Sequence, residues 1–514
     1  MKNNKKIILF ILILSFLIVS AKYDNWKTSL FKYTKTHLLL KKIHYKDKVD
    51  DEKLSFAAIR GMLKTLDPHS YLLDPDSFQT MKEDQTGKFY GIGIQILKIE
   101  DRLTVITPLE GTPAYRLGIQ AGDVIVEVEG KITKNLSQNE AVRLLRGPKG
   151  TFVNIKVKRE GYKKPLPFRI KRAEIPLYSI PYHFIDPYVR NNKIGVIVIR
   201  SFTGTTVDEF NKAMEKLIKD GIKGLILDLR FNGGGDLKAA LGISDEFLKE
   251  GKIIVSTKGR VKKMNRMFKA KQNGQYENIP LVILVNRGSA SASEIVSGAI
   301  QDNKRGLIVG TRTWGKGLVQ TLLYLRENVA IALTTARYYT PSGKMIQRDY
   351  THLEDYLLFY NDKGSYEKNT GGIVPDIMVE GGKLTIFTAN LRSKGLFFSY
   401  ANHLVKKETK IKNIFSYNKS KNSYSLKGKS YHIFKDDIPM KIVDDFYSFI
   451  KNKKIKFSKK VFDKSLQSIK LELKREISSR IWGIQEGFIS ILKDDPQFKK
   501  AEDLLTGNPS NKDK

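Results

Sequence analysis

Three serines and one lysine carry the first chemical signal in this chain. The run Gly288-Ser289-Ala290-Ser291-Ala292-Ser293-Glu294 comes shortly before Trp314-Gly315-Lys316-Gly317, and no histidine occurs between Arg190 and Tyr350. A serine nucleophile needs a base to take its proton. With no histidine at hand, the pairing of Ser291 as nucleophile with Lys316 as base points to a serine hydrolase that works without histidine. A free lysine titrates near 10.4 and is a poor base at neutral pH. Desolvation against Trp314 and the adjoining apolar residues would bring it toward about 7–8, where it can accept a serine proton.

The elements that must position this pair are legible nearby. The apolar run Leu281–Val285 reads as a buried strand ending at Asn286-Arg287-Gly288, and a helix is expected over Ala292–Asp302. A serine at that junction stands at the carboxyl edge of the strand, where α/β sheets place ligands. Amides of the first helical turn favour a developing oxyanion. The plain alternative is an N-cap serine. Alternation over residues 316–324 predicts a strand that puts Lys316, Leu318 and Gln320 on one face, with Gln320 able to orient the ammonium group. The plain alternative for Lys316 is a solvated surface lysine. A third element is Asp228-Leu229-Arg230-Phe231-Asn232-Gly233-Gly234-Gly235, a buried strand running into three glycines. Its amides can approach a ligand closely and supply one oxyanion donor beside the Ala292 amide, although a tight turn alone would use the same residues.

Gly310-Thr311-Arg312-Thr313-Trp314-Gly315-Lys316 also matches most of a phosphate-binding loop. It fails at Gly317, where the magnesium-binding Ser or Thr belongs, and a strand-like segment follows instead of a helix.

At 514 residues the chain is too long for one compact core, and the 41% hydrophobic content is enough to bury several. The net charge of +36 is mostly lysine spread along the chain. Acidic residues are interspersed and no nucleic-acid motif appears, so a nucleic-acid partner is excluded, while an anionic membrane surface stays compatible. The absence of cysteine removes disulfides, thiolate catalysis and cysteine zinc sites together. Lys2, Lys5 and Lys6 precede an apolar run from Ile7 to Val19 and the small residues Ser20-Ala21. This reads as a cleaved secretory signal, with an uncleaved anchor over residues 7–21 as the alternative. The expected location is the periplasm or cell envelope.

Helical periodicity over residues 24–80 stops at Asp67-Pro68-His69-Ser70. From Gly87 to Arg172 the texture is short strands and glycine turns, with Ser137 and Glu140 spaced as a capping box. Residues 194–340 alternate strands (Ile194–Ile199, Gly224–Leu229, Leu281–Val285, Leu307–Val309, Val329–Leu333) with helices (Val207–Lys219, Leu237–Lys249, Ala292–Asp302), which implies a largely parallel sheet with covered faces. Residues 405–435 are rich in lysine, serine and asparagine; amphipathic helices return from Ile438 to Leu505, and Gly507 to Lys514 read as disordered.

In consistent order these pieces resemble the carboxyl-terminal processing, or tail-specific, proteases of the S41 serine peptidases. The resemblance runs from about residue 30 to 380. It rests on Gly61-Met62-Leu63 with Leu66–Ser70, Gly91–Ile94, Asp228–Gly235, Asn286–Glu294, Thr313–Gln320, Tyr338–Gly343 and Gly372-Ile373-Val374-Pro375-Asp376. It implies a multidomain α+β protein: an α/β protease core of the S41 (ClpP/crotonase-like) type, an inserted β-rich PDZ domain, and helical N- and C-terminal regions. The expected division is a signal or anchor over 1–21, a helical region over 22–86, a PDZ domain over 87–172, the protease core over 173–380 and an extension over 381–514. The resemblance implies a Ser–Lys dyad with Ser291 rather than Ser289 or Ser293 as nucleophile, Lys316 as base and Gln320 in support. Oxyanion donors fall on the Ala292 and Gly234 amides, with Gly233 standing where the family has a proline. PDZ domains capture a peptide as an added strand and hold its carboxylate on backbone amides, here Gly91, Ile92, Gly93 and Ile94. The implied partners are protein or peptide substrates with free C-termini, an adaptor protein, and a second copy in a homodimer or larger assembly. No metal or organic cofactor is implied. The alternative is a catalytically inactive PDZ scaffold.

Overall fold

The structure, a computed structural model, describes residues 25–45, 49–99, 101–109, 111–159, 161–189, 193–348, 371–405, 415–418, 423–426, 438–453 and 455–507. The expected signal or anchor over residues 1–21 lies outside the described residues, as do positions 508–514 of the expected disordered tail. The chain forms two compact units, one of residues up to Gln79 with Gln320–Thr334, the other of Thr80–Val319 with Thr335–Lys514.

In the first unit, helix Asp51–Lys64 starts at Asp50, whose carboxylate accepts the Glu52 and Lys53 amides. It packs Leu63 with Leu72 and Val329, flanked by Phe56, Ile59 and Ile331. The stop after this helix is built by Asp67. Its carboxylate accepts the amides of His69 and Ser70 and the hydroxyls of Ser70 and Thr334. Strand Tyr71–Leu73 then pairs antiparallel with residues 330–332.

The second unit holds a six-stranded, mostly parallel sheet. Strands Tyr182–Ile185, Ile194–Val198, Gly224–Asp228, Leu281–Val285, Leu307–Gly310 and Ile377–Met378 lie side by side in that order. All pairs after the first are parallel. Successive residues of a strand face opposite sides, and here each side has its own core. Ile197, Leu225, Leu227, Ile283, Val285 and Ile308 pack with helices Thr206–Lys219, Leu237–Asp245 and Ala292–Asp302. Val196, Val198, Ile226, Val282, Leu284 and Val309 pack with Ile489, Leu492, Phe498 and Ala501 near the C-terminus. Both faces are therefore buried, as a parallel sheet requires, and the far face is covered by the last helix, Pro496–Thr506.

A second sheet in this unit runs Ile94–Ile99, Arg102–Pro108, Val124–Val128, Phe152–Lys158, Leu166–Lys171, which leaves Ile94–Ile99 at an edge. Helix Gln138–Leu145 carries the expected capping box: Glu140 donates its amide to Ser137 Oγ, and Ser137 donates its own to Glu140 Oε2. Helices Ile386–Ser393, Leu396–Val405, Met440–Asn452, Lys459–Lys464 and Leu466–Trp482 share a separate core that includes Phe397, Tyr400, Phe446, Ile469 and Leu473.

Three expectations are corrected. Helix Leu237–Asp245 stops four residues before Lys249: the chain tightens as the Phe247 amide bonds the Ser244 carbonyl, and the Glu246 and Leu248 carbonyls then accept the Tyr276 and Gly274 amides. Strand Val329–Tyr339 outruns Leu333, since its last residues pair with strand Ile253–Gly259. Lys316 is not a strand residue: the strand begins at Leu318. Gly317 is pressed so closely to Gln347 that a Cβ would lie 2.4 Å from its nitrogen, and its amide donates to Gln347 Oε1.

Candidate active site

Two loops at the carboxyl ends of adjacent strands are stitched together around Ser291. From the first, Asn232 lends its carbonyl to the Ala290 amide and the Ser293 hydroxyl, at 3.0 and 2.9 Å. The Leu229 carbonyl accepts the Ser289 hydroxyl at 2.8 Å. From the second, Asn286 Oδ1 accepts the Phe231 and Gly288 amides, both at 2.9 Å. Ser289 and Ser293 are 0% exposed and use their hydroxyls in these bonds. Ser291 differs. It is half-buried and sits at φ 54°, ψ −111°, a region that costs a non-glycine residue about 1–3 kcal/mol and recurs at active sites. Of the three serines, Ser291 alone combines partial exposure with a positive φ.

Glu294, in the first turn of helix Ala292–Asp302, ties the lysine loop to this serine. It is fully buried. Its Oε2 accepts the Ser291 amide at 2.8 Å and the Lys316 amide at 2.9 Å; its Oε1 accepts the Gly315 amide at 2.7 Å and the Thr313 hydroxyl at 2.6 Å. One carboxylate oxygen therefore holds the backbones of both dyad candidates. The Trp314 amide adds a bond to the Ser289 carbonyl. Burial pushes the Glu294 carboxyl above its usual range, and the four donors pull it back. The Lys316 ammonium is displaced downward by burial, against the opposing pull of Glu294.

This sets a pH expectation. A base must be neutral to act, so kcat/KM should rise with pH through one apparent pKa below the ordinary lysine value of 10.5 and level off above it. A rate–pH profile on a peptide substrate measures this; a profile flat across that range would remove Lys316 as the base.

Gly234 lies against Ser291. At φ 102°, a Cβ there would come 2.7 Å from Ser291 Cβ and 3.0 Å from the Ala292 nitrogen, so only glycine fits. Its amide already donates to Asn232 Oδ1 at 2.9 Å, and an oxyanion would have to share that N–H. Gln320 belongs to the first unit, where its side-chain amide donates to the His69 carbonyl. The phosphate-loop reading also fails structurally, because a strand rather than a helix follows Lys316 and Gly317.

At the edge sheet, the Ile92 carbonyl accepts the Ala114 amide, and the Gly93 carbonyl accepts the Leu109 amide and the Thr112 hydroxyl. In a trans peptide the carbonyl and the following amide point opposite ways. The Gly93 and Ile94 amides therefore face away from those donors, at the start of the edge strand. Gly91 closes strand Lys88–Gly91, opposite Ala173.

Sequence reasoning assigned no role to Glu294, Asn232, Asn286 or the Asp228–Arg230 pair. The Ser-x-x-Glu spacing was a signal for Glu294, identical to that of Ser137 and Glu140; nothing in it distinguishes a solvated cap from a buried clamp.

The sequence profile of Peptidase family S41 matches residues 193–354, and that of the PDZ domain matches residues 104–159. A carboxy-terminal-processing protease of Bartonella bacilliformis is 41% identical over 302 residues, covering 58% of this chain and 68% of that protein. The carboxy-terminal processing protease CtpA of Bacillus subtilis is 36% identical over 308 residues, covering 60% of this chain and 64% of its own. Among solved structures, a photosystem II D1 C-terminal processing protease is 30% identical, covering 68% of this chain and 86% of that one, with a TM-score of 0.38. The chain belongs to peptidase family S41, as a serine-type peptidase of the carboxy-terminal-processing group with a PDZ domain.

Proposed function

We propose that the protein is an exported endopeptidase that cleaves proteins near their C-termini with a Ser291–Lys316 dyad. Ser291 Oγ attacks the scissile carbonyl carbon as Lys316 Nζ takes its proton. The oxyanion is met by the Ala292 and Gly234 amides. Collapse expels the amine, which leaves with the proton from Lys316; water then attacks the ester, gives its proton to Lys316, and the acid departs as Ser291 is restored. The observation that most supports this reading is the shared Glu294 oxygen, which binds the Ser291 and Lys316 amides together.

Substrate capture is assigned to the PDZ domain. An unfolded C-terminal segment adds to the edge strand Ile94–Ile99, and its carboxylate is held by the amides of the Gly91–Ile94 turn. The exported location rests on Lys2 through Ala21; among the described residues no helix is long and apolar enough to cross a membrane.

The test compares an unstructured reporter with a free C-terminus against the same chain amidated. Losing the carboxylate should raise KM about 10-fold or more while kcat at saturation stays within a few-fold, since capture is binding shared by ground and transition states. Equal KM for the two reporters would refute carboxylate capture.

A further inference from the structure

We propose that Asp495 and Gln497, at the N-terminal end of the last helix, are positioning residues for the oxyanion loop, which they hold through Arg230. The inference rests on the dyad reading above and deepens it.

Arg230 is buried at the foot of that loop, two residues before Asn232. Its Nε and Nη2 donate to the two oxygens of Asp228 at 3.0 and 2.8 Å. On its other side Nη1 donates to Asp495 Oδ2 at 2.5 Å and to Gln497 Oε1 at 3.1 Å. The Arg230 carbonyl in turn accepts Arg200 Nη1 at 3.0 Å. Phe231 follows at φ 60° and is 74% exposed, so its own side chain cannot anchor the turn. Beside the bond of its amide to Asn286 Oδ1, anchoring falls to Arg230 before it and Asn232 after it. A guanidinium gripped on both edges by planar acceptors has little freedom, and it fixes the backbone that leads to Gly234.

The far grip comes from residues some 265 positions away in sequence. Gln497 Nε2 also donates to the Val379 carbonyl at 2.8 Å, just past the sheet's edge strand. Asp495 divides its work: Oδ1 caps the last helix through the Gln497 and Phe498 amides, and Oδ2 faces Arg230. The helix that seals the far face of the sheet is thereby joined to the loop beside the nucleophile.

That division supplies the test. Asp495→Asn and Asp495→Ser keep an N-cap residue but remove the anion. Both should hold the melting temperature within a few degrees, leave KM within about 3-fold and lower kcat about 10–100-fold, the scale of a small misplacement in a catalytic site. Adding Gln497→Glu to Asp495→Ser returns an anion opposite Arg230 and should recover kcat at least about 5-fold, a rescue that a merely structural residue would not give. Wild-type kcat in both cap-preserving variants would overturn the proposal, as would kcat losses that only track melting temperature with no rescue. Ser291→Ala in the same assay separates the two readings: if it stays active, the dyad itself is wrong.

Discussion

Replacing Ser291 by alanine is expected to lower kcat by about 10⁴-fold or more, with Lys316→Ala close behind and the double variant no worse than either. A nucleophile and its base act as one unit, so on the dyad reading removing the second after the first costs little. Single-turnover cleavage of a labelled unstructured protein gives the rates, and labelling by a fluorophosphonate probe reports the nucleophile directly. Ser291→Ala should abolish labelling. Ser289→Ala should keep it, because that hydroxyl is spent on the Leu229 carbonyl and the Asn286 amide, and its loss costs about 1–3 kcal/mol of stability. Backbone strain adds an independent check. At φ 54° alanine is strained and glycine is not, so Ser291→Gly should be more stable than Ser291→Ala by about 1 kcal/mol. Residual labelling of the alanine variant at the wild-type rate would move the nucleophile elsewhere.

How much of this was readable in advance depends on where each constraint lives. Strands such as Leu281–Val285 are continuous apolar runs because both faces of the sheet are covered, and five such residues between polar turns admit few other readings. The Ser137 cap was readable because a capping box closes within four residues. The trailing half of Val329–Tyr339 was not, since Thr334, Thr335 and Arg337 break the apolar pattern and the strand persists by pairing with Ile253–Gly259. Alternation places Lys316 in a strand for the opposite reason: the pattern is real, but Gly315 and Gly317 bend the backbone to meet Arg348 and Gln347. The role of the last helix was invisible in its periodicity. Phe498 and Ala501 mark an apolar face in any sequence; that the face seals the protease sheet, with Asp495 on Arg230, is a fact of long-range packing.

Glu294 is where the second large effect is expected. Glu294→Ala would leave three amides and a hydroxyl without their acceptor in a buried site. At about 1 kcal/mol or more each, that approaches the whole stability of many domains. Two milder changes separate what the residue does. Glu294→Gln keeps the volume but turns one acceptor into a donor facing donors, so two of the four bonds fail; kcat should fall about 10²-fold. It also removes the negative charge that raises the Lys316 proton affinity. Lys316 then loses its proton more readily, and the rising limb of the residual rate–pH profile should move to lower pH. Glu294→Asp keeps the charge but is one methylene too short to reach both loops, so a comparable loss of kcat should come with a limb that stays nearer its wild-type position. If both variants move the limb equally, charge is not the link between Glu294 and the base. If neither loses activity, the clamp is dispensable, and the lysine loop must be held to the serine loop by other bonds such as that of the Trp314 amide to the Ser289 carbonyl.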